Sequence, residues 1–177
     1  MKTLHRALSA LYGLCAVLAA VCLAAIAAII LAGAVARQFG LVVPSANAIA
    51  GYLVAASTFL ALAPTLRSGG HIRVALFASR LGRRTRRWLE VWCLGLGTVL
   101  VGYLAYASVE QVMNSYRFHS TSPGLLPIPM WIPQLPMAFG LAVMTVALLE
   151  LLMGTLAGRM PDYADPAMAV ADEEAGL

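Results

Sequence analysis

The 177-residue chain is 61% hydrophobic and 11% charged, with a mean hydropathy of +0.83 and a net charge of +4, whereas soluble domains carry roughly 25% charged residues. So much apolar surface cannot be buried inside so short a chain, which excludes a water-soluble globular protein and makes lipid the solvent for most of it. The positive charge sits beside apolar runs instead of on a soluble face, so it points to membrane topology and lipid headgroups, not to nucleic acid.

In chain order, Lys2, His5 and Arg6 flank an uncharged run over residues 7–36. A secretory signal is the competing reading, with Ala34-Val35-Ala36 as cleavage site. The run is about twice as long as a signal's apolar core, so a retained first span over about 8–36 is expected. Ala16, Ala20, Ala24, Ala28, Ala32 and Ala36 recur at steps of four and offer a smooth ridge for close helix approach. Cys15, Cys22 and Cys93 lie in apolar runs without metal-ligand spacing and read as small buried side chains.

A polar connection with Gly40 and Pro44 leads to a second span over about 47–66. Next comes the densest charge in the chain: Arg67, Arg73, Arg80, Arg83, Arg84, Arg86 and Arg87 are seven of the twelve basic residues, with no acidic residue among them. Lys/Arg-rich loops stay on the cytoplasmic side. Ile72, Leu76 and Phe77 fall at helical spacing beside Arg73 and Arg80, so a short amphipathic helix on the inner membrane surface is expected there.

The third span is expected over about 88–112, with Trp88 and Trp92 at the inner interface. Glu90, four residues after Arg86, reads as a helical ion pair or a snorkelling carboxylate. Residues 113–135 form an outer loop whose prolines argue against a regular helix and whose Trp131 offers an interfacial anchor. A fourth span over about 136–156 precedes Arg159 and an acidic tail, residues 159–177, too polar to fold by itself. Ten of the twelve basic residues then lie on one side. The expected fold is an all-α integral-membrane domain over residues 1–158, with four spans and both termini cytoplasmic.

Chemistry is sparse. His71 and His119 fall on opposite sides of the membrane and His5 in the N-terminal flank, so no pair can ligate a haem. No catalytic cluster or phosphate-cradling loop is present, no cofactor is implied, and an enzyme is not expected. Glu150, about 9 Å inside the end of its span at 1.5 Å per residue, is costly in lipid unless paired, and reads as half of a structural pair instead of a proton relay.

Two stretches resemble a known family. Thr58 through Val74, containing Gly69-Gly70-His71-Ile72, resembles the end of the second span and the following turn of the small (DctQ-like) membrane subunit of tripartite ATP-independent periplasmic (TRAP) transporters. Ser120-Thr121-Ser122-Pro123, with Pro127-Ile128-Pro129-Met130-Trp131-Ile132-Pro133 and on to Met137, is similar to that family's outer loop and the start of its fourth span. Two positions depart from the family pattern: Asn47-Ala48-Ile49 stands where an acidic residue is common, and Ala75 where an Asp is.

The resemblance implies a sodium-coupled uptake system for an organic acid or similar solute. In it a periplasmic solute-binding protein delivers to a large multi-span transport subunit, which this chain would stabilise. Gly70, His71, Ile72, Pro127, Pro129, Trp131 and Pro133 are its structural motif positions. Anionic phospholipids are the expected partners of the arginines. The competing reading is a free-standing four-span carrier or scaffold, for which the first two spans lack a mid-membrane carboxylate.

Overall fold

A peptide group in hydrocarbon has no water to bond, so an uncharged run longer than the bilayer is deep must close its own hydrogen bonds by coiling into a helix. The computed structural model describes residues 2–41, 45–67, 83–123 and 127–157, with 2–5 and 83–87 as helical backbone only. They form four helices: α1 (Lys2–Gln38), α2 (Ala46–Arg67), α3 (Arg83–Arg117) and α4 (Trp131–Leu156). All four are long and apolar enough to cross a membrane.

The helices alternate in direction. One end of the bundle gathers the start of α1, the end of α2, the start of α3 and the end of α4, and is called the basic end below. The neighbours are α1 on α2, α2 on α4 and α4 on α3, so α2 and α4 are central and α1 and α3 peripheral. Over an apolar 18-residue stretch of each, α3 is only 6% buried, against 39% for α4. The core uses residues from all four helices: Tyr12, Cys15 and Ala19; Leu60, Ala63 and Leu66; Leu94; and Val143, Met144, Ala147 and Leu148. Helices α2 and α4 approach closely at Gly140, where even one carbon on Cα would overlap the Phe59 carbonyl. Several threonine and serine hydroxyls inside the spans bond back to carbonyls of their own helix, as in Thr98 to Leu94 at 2.7 Å and Thr145 to Leu141 at 2.8 Å, and so need no water.

Several expectations change. The alanine row of α1 does not face the bundle: Ala16, Ala20, Ala24, Ala28 and Ala32 are exposed, and the inward face is Leu8, Tyr12, Cys15 and Ala19. A strict step of four drifts around a helix with 3.6 residues per turn, whereas mixed steps of three and four hold one face. The third helix continues to Arg117 instead of stopping near Val112, and the fourth begins at Trp131 instead of Pro136. Pro133 fits the first turn of α4 because the N–H it lacks has no partner there; Pro136 forfeits one bond further in.

Both α1 and α3 stop in the same way. Leu41 N–H bonds to Ala36 and Gly40 N–H to Arg37, with Gly40 at φ 72°. Ser120 N–H bonds to Ser115 and His119 N–H to Tyr116, with His119 at φ 50°. These are paired six-residue closures around a left-handed residue, natural for glycine and costing about 1 kcal/mol for a histidine. His119 is therefore a helix stop. The surface helix expected around residues 72–80, with Arg73 and Arg80, the motif residues Gly70, His71 and Ile72, and the tail over 159–177 lie outside the described residues.

Candidate functional site

Charge inside a membrane span is expensive, so the inner ends of the helices are informative. At the basic end Glu150 meets groups from two other helices. Its Oε1 lies 3.9 Å from Arg67 Nη2, and its Oε2 accepts a 3.2 Å hydrogen bond from the Tyr12 hydroxyl. The Arg67 guanidinium also stacks over the Tyr12 ring, 5.0 Å from its centre. Three helices thus meet around one carboxylate, with the Arg67 guanidinium beside it. The ion pair is long and single-pronged, and the Arg67 side chain is 38% exposed, so it holds the helix ends in place without being a strong bond.

At the opposite end the segment after α3 is folded. Ser122 N–H bonds to Ile128 carbonyl at 2.8 Å and Met130 N–H to Ser120 carbonyl at 2.9 Å, around an antiparallel bridge of Thr121 with Pro129. The proline spacing suits this pattern: Pro127 and Pro129 occupy positions that need not donate, while Ile128 and Met130 make the bonds. Tyr52, in the first turns of α2, clasps the bridge from below. Its hydroxyl is 2.7 Å from Ser122 Oγ and donates to Met130 Sδ at 3.8 Å. Trp131, at the start of α4, meets the Tyr116 ring edge to face at 6.0 Å.

Tyr52→Phe should therefore loosen the segment without unfolding the helices, with a loss of about 1 kcal/mol. Hydrogen exchange at the Ser122 and Met130 amides should rise several-fold while Ala147 in α4 stays protected. Unchanged exchange at those two amides would refute the clasp.

The residues singled out in the sequence fall into three groups. Arg67, counted there among the lipid-anchoring arginines, lies on Tyr12 and against Glu150. Trp88 and Trp92 are exposed on α3, while Trp131 is half-buried against Tyr116. Arg83, Arg84, Arg86 and Arg87 begin α3 as backbone only, so Glu90 cannot be placed against Arg86. Tyr12 and Tyr52 were not anticipated. The signal for Tyr12 was its place on the Leu8–Cys15–Ala19 face, but nothing local marks Tyr52, whose partners lie 70 and 78 residues away. Among the described residues no three His, Cys, Asp or Glu side chains gather as metal ligands.

Residues 26–158 match the family described as Tripartite ATP-independent periplasmic transporters, DctQ component. The chain is similar to the C4-dicarboxylate TRAP transporter small permease protein DctQ of Rhodobacter capsulatus, with 29% identity over 99 residues, 55% of this chain. That match spans 43% of the relative's length.

Proposed function

The chain belongs to the DctQ-component family of TRAP transporters, which makes it a transporter subunit and not an enzyme, and we propose that it is the small permease of a sodium-coupled, binding-protein-dependent uptake system for an organic acid or similar anion. In this reading it packs beside a large transport subunit in the inner membrane and steadies it, while a periplasmic binding protein delivers the solute. The basic end faces the cytoplasm, in keeping with the ten basic residues on that side. The arginines after residue 72 grip anionic headgroups, each contributing about 1 kcal/mol.

The observation that supports packing against a large subunit is the free face of α3. Tyr103 and Tyr106 are 70% and 68% exposed, and no hydrogen bond to either hydroxyl occurs among the described residues. Tyr103 lies near the middle of the Trp88–Arg117 span, roughly 20 Å from each end at 1.5 Å per residue. A phenol hydroxyl at that depth is poorly placed in hydrocarbon, because tyrosine belongs at the membrane interface where its polar tip is wet. A protein surface carrying carbonyl or hydroxyl acceptors relieves both tyrosines. A lone span in lipid does not.

The test is retention of the cognate large subunit, co-expressed and purified in mild detergent. The double variant Tyr103→Phe, Tyr106→Phe is expected to lower retention roughly tenfold, the loss of two ordinary hydrogen bonds, with the small subunit's own melting unchanged. Undiminished retention would place this face against lipid. Labelling of Arg84→Cys only from the cytoplasm and Ser120→Cys only from outside is the matching expectation for orientation.

A further inference from the structure

At the end of the bundle opposite Glu150, α1 and α2 leave an open cavity of about 220 Å³ lined by Ile29, Ile30, Gly33, Arg37, Ser45 and Asn47 among others. Its lining changes character along the axis. Ile29, Ile30 and Gly33 lie deeper in α1, and Arg37 is in that helix's last turn, about 12 Å along from Ile29 at 1.5 Å per residue. The floor is apolar and the mouth cationic.

Arg37 is held for an external partner. Its Nε donates to the Gly33 carbonyl at 3.1 Å, which lays the guanidinium along the helix and leaves its two terminal nitrogens for another acceptor. No carboxylate among the described residues pairs with it. Ala46 and Asn47, which share the cavity, open α2 with no acidic residue in its first turn, and peptide N–H groups of a first turn have no acceptor within their own helix. A guanidinium beside such groups suits a phosphate monoanion.

The apolar floor distinguishes the sources of that phosphate. A soluble anion uses only the mouth. A lipid fills both parts, and the exposed Phe39 and Leu41 just beyond α1 are what a chain entering the acyl boundary presents. The space beside Gly33 is open, since a carbon added there meets nothing within 4 Å. We propose that this cavity is a binding site for an anionic phospholipid, its phosphate against Arg37 and the first turn of α2 and one acyl chain along Ile29, Ile30 and Gly33.

The proposal does not depend on the transport reading. The experiment is native mass spectrometry of the full chain, delipidated in mild detergent and titrated with phosphatidylglycerol, phosphatidylcholine or inorganic phosphate. Phosphatidylglycerol should bind with a Kd roughly tenfold below that of phosphatidylcholine, and inorganic phosphate should fail to displace it. Arg37→Gln and Gly33→Leu should each weaken phosphatidylglycerol binding roughly tenfold, the first by removing the cation and the second by filling the groove. Arg117→Gln, a charge loss at the same end of the bundle, should leave it unchanged. Equal binding of the two lipids, displacement by inorganic phosphate, wild-type binding by both site variants, or an equal loss in Arg117→Gln would each overturn the assignment.

Discussion

Gly140→Ala is expected to push α2 and α4 apart and lower the stability of the bundle by about 1–3 kcal/mol, the usual range for overpacking a tight contact. The added carbon would lie 2.6 Å from the Phe59 carbonyl carbon and 3.1 Å from the Leu60 nitrogen. Both are backbone atoms, so no rotamer change can clear them. Small residues let helix backbones approach closely in lipid, where dispersion and interhelical contacts drive association in place of the hydrophobic effect. The α2–α4 contact is also the centre of the row, because α1 packs mainly on α2 and α3 mainly on α4. Gly154→Ala on the same helix is the control: nothing lies within 4 Å of its added carbon, so stability should hold or rise slightly. Thermal unfolding in detergent, followed by the monodisperse fraction on size exclusion, separates the two. Equal midpoints for Gly140→Ala and wild type would show that the close approach is not needed.

Reversing one charge at the basic end should be nearly as damaging. Arg67→Glu would set two carboxylates within reach of each other, and Glu150→Arg two guanidinium groups, both beside the half-apolar ring of Tyr12. Removing one partner of a fully buried pair costs about 3–5 kcal/mol. Because Arg67 is more than one-third exposed, about 2 kcal/mol is the fitting figure for each single reversal. The double reversal Arg67→Glu, Glu150→Arg should restore much of the loss, since what matters is that the charges on α2 and α4 match. Its recovery will be incomplete, because Tyr12 donates to a carboxylate on α4 and stacks under a cation on α2, and the swap disturbs both. Expression and melting of the four proteins settle it, and a double variant no better than the singles would mean the pair does not join these helices.

Parts of this were readable before any coordinates. That Glu150 needs a partner follows from its depth in an uncharged run, but not that the partner is Arg67, which the sequence places in a basic loop with six other arginines. In the proline run, residues 127–130 are non-helical as read while Trp131–Pro133 already belong to α4, and the bridge depends on Ser120 and Ser122 meeting Ile128 and Met130. The alanine row of α1 misled, because spacing along one helix says which residues share a stripe and not which stripe a neighbour covers.

The sequence by itself determined the solvent, the number of spans and the asymmetry of charge, because these depend on local composition: a long uncharged run in lipid has to be helical whatever surrounds it. Tertiary structure alone decided which helix is central, which face of each is covered, and that Tyr12, Arg67 and Glu150 meet. Those outcomes depend on surfaces from helices far apart in the chain fitting together, and apolar side chains that are equally at home in lipid or against a neighbour carry no local mark of which they will have.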